Sequence, residues 1–404
     1  MTQPTYDLNA VRTAFPIAQQ ITYLNHASIS PVPAPALAAM QAVTDGLGQD
    51  PMAYFFAPPE ENIFFLFSKE IAEFINAADL GEVVGITSTS AAINAVAHAI
   101  DWQPGDNVVF SRAEFPSNAY PWLALERLGR CECRVAPPDT GGADLATLEP
   151  LVNDHTRVIA VSAVQFLSGH RADLAALGAF CRERCILLVV DAIQAAGHFP
   201  IDVQAMQIDV LAAGGQKSLM GPPGQGFLYV RNDPCQELVP ATVGPNATEG
   251  WEHWLDYDIT PRAGAFRFMM GTPNLVGMFG LLESIRFLQE LGLANIDAWT
   301  SHLSQLAFED ISALGYRFIT PTDPAQHGPI VTFCVGDTND LDAANAQATA
   351  LYEHLAAANI RVTKHLDAAG APHLRISTHC YNTETEIRRV SMELSAFNKE
   401  AHYG

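Results

Sequence analysis

Four features that could carry chemistry stand where predicted strands end. Successive hydroxyl residues, among them Thr89 and Ser90, precede a predicted helix, and Phe115 follows the next strand. Asp191 ends an apolar run, and Lys217 follows another in a glycine-lined stretch. Hydroxyls at a helix N-terminus can bind an anion, an aromatic ring can stack on a flat ligand, and a buried acid needs a cationic partner. Burial lowers the pKa of a lysine and frees its amine as a nucleophile.

Each feature also has an ordinary structural explanation. The hydroxyls could cap a helix, Phe115 could be a core residue, and Asp191 could be an N-cap. Together, however, they describe one ligand with a phosphate, a flat ring, a protonatable nitrogen and an aldehyde. That ligand is pyridoxal 5′-phosphate (PLP), which binds a lysine as a Schiff base and pairs its pyridinium nitrogen with an acid. A nicotinamide cofactor is disfavoured, because the glycine-rich run at 221–226 precedes a strand instead of opening a helix.

The elements that must position these residues alternate between strands and helices. Apolar runs predict strands over Val83–Thr87, Asn107–Ser111, Arg157–Ser162, Ile186–Val190, Asp209–Ala212 and Gly226–Val230. Helical patterns between them, one predicted from Pro121, indicate βαβ units and a mostly parallel α/β sheet. Ligands of such sheets bind at the carboxyl ends of the strands. After Pro273, long helices and two further strands predict a smaller α+β domain.

Composition excludes several classes of function. The 404 residues include 22 Lys and Arg against 44 Asp and Glu, for a net charge of −22. Binding of nucleic acid needs a basic face, so neither nucleic acid nor an anionic membrane is an expected partner. No apolar run reaches the roughly 18 residues of a membrane span. The first residues have neither a basic nor an apolar segment, so a secretory signal is not expected. Seven cysteines without a Cys-x-x-Cys motif favour reduced thiols, a cytoplasmic location and no metal site.

The chain resembles the class V aminotransferase family of fold-type I PLP enzymes, in its branch of cysteine desulfurases and isopenicillin N epimerase-like enzymes. The matching stretches are Tyr23–Ser28, Thr89–Asn94, Glu114–Asn118, Ser168–Leu174, Asp191–Gln194, Gln216–Lys217, Gly271–Asn274 and Arg375–Ser377. The resemblance implies a large domain with a mostly parallel sheet of the seven-stranded type. It divides the chain into an N-terminal arm that contributes to the small domain (1–22), a large PLP-binding domain (23–272) and a small C-terminal domain (273–404).

The resemblance also implies roles for the cofactor-binding residues. Lys217 would carry PLP as a Schiff base and then move the Cα proton of the substrate. Asp191 would keep the pyridine nitrogen protonated, and Gln194 would hydrogen-bond the ring hydroxyl. Thr89 and Ser90 would hold the phosphate.

Further residues are implied at the substrate side and in a homodimer. Thr272 matches a position that reaches the phosphate of the neighbouring subunit, which implies a homodimer. Arg375 matches the arginine that binds the substrate carboxylate, and His26 and Ser28 would lie near the substrate. Three more histidines could line the site, or simply cap and pack: His170, His365 and His379.

The chain departs from the desulfurase pattern at three places. Phe115 stands where desulfurases stack a histidine on the ring, so any acid–base role of that histidine is lost. Gln216 replaces the histidine that commonly precedes the lysine, although it remains a candidate cofactor contact. Desulfurases also need a cysteine on a loop shortly before the carboxylate arginine, but none occurs between Asn359 and Arg375, and Cys380 comes after it. A persulfide-forming cysteine desulfurase is therefore disfavoured.

The expected function is that of a PLP enzyme acting at Cα or Cβ of a small α-amino acid. A β-eliminating C–S lyase or an aminotransferase is preferred, and an epimerase remains open. The Phe-Pro-Ser run at 115–117 also resembles kynureninases and leaves a kynureninase-like hydrolase open. A catalytically silent scaffold is disfavoured, because it would not need Asp191, Lys217 and Arg375 together.

Overall fold

A computed structural model describes residues 4–55, 57–58, 61–137, 141–250 and 253–403, with side chains described up to residue 399. The strands are β1 (Thr22–Tyr23), β2 (Val83–Ile86), β3 (Asn107–Ser111), β4 (Glu132–Ala136), β5 (Thr156–Ser162), β6 (Leu187–Asp191), β7 (Val210–Gly214), β8 (Gly226–Val230), β9 (Ile330–Cys334), β10 (Ile360–Arg361), β11 (Thr363–Leu366) and β12 (Pro372–Ser377). The α-helices are α1 (Leu8–Thr13), α2 (Ala34–Leu47), α3 (Ile63–Phe74), α4 (Thr89–Ala99), α5 (Pro116–Arg127), α6 (Leu145–Leu148), α7 (Leu174–Glu183), α8 (Asn232–Glu237), α9 (Leu275–Leu291), α10 (Leu293–Ser312), α11 (Leu341–Ala357) and α12 (Glu384–Tyr403).

Seven strands form the central sheet, in the order β2-β8-β7-β6-β5-β3-β4. The strand β8 runs antiparallel to its two neighbours, and the other pairs are parallel. Along β6, Leu188 and Val190 pack into the core on one face, whereas Val189 packs into the core on the other. Helices cover both faces, which is why the central strands are continuous apolar runs. The predicted α/β fold with a mostly parallel sheet is confirmed.

Local predictions differ from the structure in both parts of the chain. After Pro273 the strands β10 and β11 were not among the two that were predicted, and two further differences lie in the large sheet and its helices. The strand β4 was not predicted, because this edge strand is half-exposed and carries the charged residues Glu132 and Arg134, so it has no apolar run. The helix α5 begins at Pro116, five residues before the predicted start, and Pro121 lies inside it. Proline fits the first helical position, because the N–H that it lacks would have no partner there.

The C-terminal part forms a second, antiparallel sheet in the order β11-β12-β9. The N-terminal arm packs against this part of the chain: β1 pairs with β10, and the Arg12 Nη1 atom donates to the Tyr381 carbonyl at 2.8 Å. The domain limits at 22 and 272 remain predictions, and residues 1–3 and 404 lie outside the described residues. None of the described helices is long and apolar enough to cross a membrane.

Candidate active site

A cavity of about 490 Å³ opens where the central strands of the large sheet end. The small sheet contributes a wall of it through residues of β11 and β12. Most of the predicted site residues line this cavity: Ser28, Thr89, Ser90, Phe115, Asp191, Gln216, Lys217 and Arg375. Residues from distant parts of the sequence therefore meet at one point, as expected for the carboxyl edge of a parallel sheet.

An acid and an amine with strongly shifted pKa values share the cavity. Burial raises the pKa of Asp191, at the end of β6, to about 7. The backbone N–H of Ile193 donates to its Oδ1 atom at 2.9 Å, and this hydrogen bond lowers the pKa by a smaller amount. Burial lowers the pKa of Lys217 to about 8, partly opposed by the charge of Asp191. The Lys217 Nζ atom lies 5.0 Å from the centre of the Phe115 ring. Such opposed shifts in one cleft are typical of catalytic groups.

The N-terminus of α4 forms one wall of the cavity. Ser88 caps this helix by accepting the backbone N–H three residues later at 3.1 Å. The Thr89 hydroxyl accepts the N–H of Gly214 at 2.9 Å and so ties the helix to β7. The Ser90 and Ser117 hydroxyls lie 2.7 Å apart. First-turn N–H groups lack intrahelical partners and favour anions, so this wall suits a phosphate.

Arg375 is a buried cation without a counterion. It is 2% exposed, and no carboxylate among the described residues lies within ion-pair distance. Its Nη1 atom donates to the Phe166 carbonyl at 2.6 Å, its Nη2 atom donates to the Ser28 hydroxyl at 2.9 Å, and its Nε atom has no partner. Burial lowers its pKa to about 10. Burying a guanidinium without a counterion costs free energy, and a bound anion would offset that cost. This position therefore suits a substrate carboxylate.

Ser28, which the resemblance implies near the substrate, holds this arginine in place together with residues that were not predicted from the sequence. The Ser28 hydroxyl donates to Asn25 Oδ1 at 2.7 Å and lies 3.0 Å from the Thr363 hydroxyl, which also donates to Asn25. Phe166 supplies the carbonyl, and its ring packs edge-on against that of Phe115 at 5.0 Å between centroids. Phe166 follows β5, so the rule that ligands bind at strand ends could have found it. Nothing in the sequence pairs Thr363 with Ser28.

A second buried carboxylate, Glu114, lies behind the cavity. It accepts the Ser162 N–H at 2.9 Å, the Gln165 side-chain amide at 2.6 Å and the Asn118 amide at 2.9 Å. These bonds join the loop that carries Phe115 to the end of β5. Burial raises the pKa of Glu114, and its charge contributes to the raised pKa of Asp191.

Three predicted residues do not line the cavity. His26 is buried and packs against other aromatic rings, with its Nδ1 atom 3.0 Å from the Ser30 hydroxyl. The Gln194 amide donates to the Ala27 carbonyl at 2.9 Å. Thr272 is exposed and lines a separate cavity of about 480 Å³. Their predicted roles remain predictions.

Of the three additional histidines, only His365 lines the cavity. The His379 Nε2 atom lies 2.8 Å from the Ser218 carbonyl, next to Lys217 in the chain. The His170 Nε2 atom lies 2.9 Å from Asp144. The last two therefore pack and hydrogen-bond away from the cavity.

The residues present fit PLP. The cavity provides an amine for its aldehyde, an acid for its ring nitrogen, an aromatic ring to stack on it and a helix N-terminus for its phosphate. When bound, PLP supplies an electron sink for the negative charge that develops at the substrate Cα. The fold and the site thus define the class of protein, a PLP-dependent enzyme of fold type I.

More narrowly, the chain belongs to the aminotransferase class V family, whose model matches residues 22–390. The family contains transferases and lyases that use PLP. The predicted family, cofactor and enzymatic nature are therefore confirmed.

The names of proteins similar to this chain refer to sulfur chemistry. A probable cysteine desulfurase of Methanothermobacter thermautotrophicus is 29% identical over 401 residues, which cover 95% of this chain and 96% of the relative. The apo structure of a cysteine desulfurase from Thermococcus onnurineus superposes with a TM-score of 0.84 at 24% identity, over 99% of both chains. The cystine C–S lyase C-DES, in complex with its product cysteine persulfide, gives 0.83 at 23% identity, over 94% of this chain and 98% of that one. The two solved structures support the fold.

Proposed function

We propose that this enzyme is a C–S lyase that removes a sulfur-bearing group from Cβ of a small α-amino acid. Its relatives include enzymes named as cysteine desulfurases, and the cystine C–S lyase shares its fold. Both names refer to cleavage of a carbon–sulfur bond. A desulfurase transfers the sulfur to a cysteine of the protein, whereas a lyase releases it with the leaving group. This difference decides between the two activities.

The observation that carries the proposal is that no cysteine lines the cavity. All seven cysteines are free thiols in the described part of the chain, and none belongs to the cavity wall. The segment between Asn359 and Arg375 reaches the cavity at His365 but has no thiol. Cys380 is fully buried with its Sγ atom 3.9 Å from the Met220 sulfur, and burial raises the pKa of its thiol. The described residues of the cavity therefore offer no thiol to receive sulfur, and we expect the sulfur to leave with the departing group.

The side chains of the cavity divide the work on a bound amino acid. Arg375 binds the α-carboxylate, which neutralises its buried charge. The Lys217 amine, whose pKa is lowered to about 8, removes the Cα proton. Asp191 keeps the cofactor ring protonated, and Phe115 holds the ring by stacking.

The products of L-cysteine turnover test the proposal. Elimination releases pyruvate, ammonia and sulfide in equal amounts, whereas desulfuration yields alanine and a protein-bound persulfide. We expect wild-type protein with PLP to form pyruvate and sulfide, and the Lys217→Ala variant to form neither. Alanine as the amino-acid product, with sulfur retained on the protein, would overturn the assignment. Turnover that requires an added keto acid would indicate an aminotransferase.

We also propose a cytoplasmic homodimer in which Thr272 reaches the phosphate of the partner subunit. Two observations support the dimer: Thr272 is exposed and does not line its own subunit's PLP cavity, and the neighbouring Met270 is 50% exposed. The free thiols favour a reducing compartment. Sedimentation analysis checks the dimer. Mixing the Lys217→Ala variant with a Thr272→Ala variant checks the shared site, because hybrid dimers recover one intact site only if the threonine acts across subunits.

A further inference from the structure

Elimination of a thiol needs a proton at the sulfur. Phe115, which would stack on the cofactor ring, cannot donate that proton. Among the described residues that line the cavity, the ionisable side chains are Asp191, Lys217, His365 and Arg375. Asp191 is committed to the cofactor ring, and Arg375 keeps its proton at neutral pH because its pKa is about 10. The candidate donors to the departing group are therefore His365 and Lys217, the latter once it has taken the Cα proton.

His365 lies next to the carboxylate-binding arginine. It belongs to β11, in register with His373 of β12, and Thr363 on the same strand pairs with Arg375. The His365 ring packs edge-on against Phe166, with 6.0 Å between ring centroids, and the carbonyl of Phe166 accepts the hydrogen bond from Arg375. The buried Nε2 atom of His365 has no hydrogen-bond partner among the described residues. The imidazole therefore lines the same cavity as Arg375 and has a polar atom without a partner among the described residues.

The surrounding charges keep this imidazole neutral in the free protein. Burial and the positive charges of Arg375, His373 and Lys217 lower the pKa of His365 to about 4. Two acids in this region interact with other groups: Asp367 lies 3.0 Å from the His373 Nε2 atom, and the charge of Asp191 acts on Lys217. A bound carboxylate would neutralise Arg375 and thereby remove one of the charges that oppose protonation of His365.

We propose that His365 is the acid that protonates the departing sulfur, using a proton that it takes up from water once the substrate carboxylate is bound at Arg375. The assignment rests on the proposed C–S lyase function. The bound carboxylate neutralises Arg375 and so allows the neutral imidazole to take up this proton. As the Cβ–S bond breaks, its electron pair leaves with sulfur, and the proton from His365 converts the thiolate into a thiol. The electron pair of the former Cα–H bond forms the Cα=Cβ bond. His365 ends neutral, and neither an oxidant nor a reductant is required.

The proposal predicts a dependence on the leaving group. An alkanethiolate is a basic leaving group that benefits from protonation, whereas chloride leaves without a proton. For the His365→Asn variant with PLP, we expect kcat/KM for pyruvate formation from S-methyl-L-cysteine to fall by about 100-fold or more, the usual contribution of a general acid. Pyruvate formation from β-chloro-L-alanine should be unchanged, which also shows that the variant is folded. The same substitution at the exposed His155 is the matched control and should change neither rate.

A second measurement does not depend on turnover. In protein labelled with ¹³C at the histidine rings, the His365 signal is assigned by its absence in the His365→Asn variant. In the free enzyme it should titrate near pH 4. With L-alanine bound, which has no leaving group, the midpoint should rise toward the ordinary value of about 6.5.

The outcomes separate this inference from the proposed function. Suppose that wild-type protein forms pyruvate from both substrates. If His365→Asn then loses both activities to the same extent, or keeps both, the assignment of His365 is wrong and the lyase function stands. A His365 signal that stays neutral at pH 6 with L-alanine bound also overturns the assignment. If wild-type protein eliminates from neither substrate, the lyase function is wrong and the role of His365 falls with it.

Discussion

The buried acid at the end of β6 should destabilise the protein when PLP is absent. Asp191 is 2% exposed, and burial raises its pKa from 3.8 to about 7. The folded chain therefore binds a proton more tightly than the unfolded chain, and this advantage is lost as the pH rises through 7. We predict that Asp191→Asn raises the stability of the PLP-free protein at neutral pH while it weakens the binding of PLP.

The magnitude follows from the two shifted groups. One pKa unit corresponds to about 1.4 kcal/mol, so the shift of Asp191 represents about 4 kcal/mol of destabilisation above pH 7. Removing the carboxylate also leaves Lys217, whose pKa is about 8, without its counter-charge, and its deprotonation costs about 1 kcal/mol at pH 7. An unpaired amide donor on the new asparagine costs about 1–2 kcal/mol more. A net gain of about 1–2 kcal/mol remains at pH 7.5. It should disappear between about pH 5 and 6, because the cost of ionising Asp191 in the folded chain falls by about 1.4 kcal/mol per pH unit below 7.

Thermal unfolding of the PLP-free proteins, followed by circular dichroism between pH 5 and 8, measures the effect. Asp154→Asn is the matched control, because Asp154 is exposed. A titration with PLP, followed by absorbance, should show affinity about 10- to 100-fold weaker for Asp191→Asn, since a charge-assisted hydrogen bond is lost. If PLP-free Asp191→Asn melts below wild type at pH 7.5, or if its gain is the same at pH 5 and 7.5, the charge of Asp191 is not the source of the instability and the reasoning fails.

Three other predictions test the cavity and its support. Lys217→Ala should abolish the visible absorbance band that PLP gives with wild type; in wild type the rate at which this band forms should rise as the pH increases through about 8, because only the neutral amine reacts. Arg375→Lys should raise the KM for the amino acid by about 10- to 100-fold and leave the PLP affinity unchanged, because lysine cannot make the two parallel bonds to a carboxylate. Gly169→Ala should lower the free energy of unfolding by about 2 kcal/mol or more, because the added Cβ would lie 2.1 Å from the Ile330 carbonyl oxygen in addition to the strain of a φ of +77°. Gly315→Ala, with a φ of +84° and no atom within 4 Å, isolates the backbone strain from the steric clash in the same denaturation assay.

Much of the large domain could be predicted, because its central strands are buried on both faces. Such strands are continuous apolar runs, and the residue that follows each run lies at the ligand-binding edge of the sheet. The positions of Asp191, Lys217 and Phe115 after their strands are therefore enough to predict that the three residues share one cavity. The edge strand β4 could not be found in this way, because one side of it faces solvent and its charged residues break the apolar pattern.

The wall from the small domain could not be predicted by the same reasoning. Arg375 is identified by its resemblance to a family motif, but its contacts are not. Ser28, Thr363 and Phe166 come from three distant parts of the sequence and meet only through tertiary packing. No local pattern of hydrophobicity or spacing encodes such a meeting. His365 illustrates the same limit, since three histidines are equal candidates in the sequence and only the register of β11 against β12 places one of them at the cavity.

The charges in the cavity lower the stability of the ligand-free protein and favour the binding of PLP and substrate. The chain has a net charge of −22, yet among the described residues its cavity places the cations Lys217 and Arg375 beside one lining carboxylate, that of Asp191. Burial disfavours each of these charges, as the shifted pKa values of all three groups show. A phosphate, a protonated ring nitrogen and a substrate carboxylate would supply the missing opposite charges. Because these ligands bind the folded chain and not the unfolded one, they should restore stability as they bind. The unpaired charges that destabilise the PLP-free protein therefore make the site selective for ligands with the complementary arrangement of charge. His365, which is neutral in the free protein, pairs with none of these ligand charges and can act on the group that leaves Cβ.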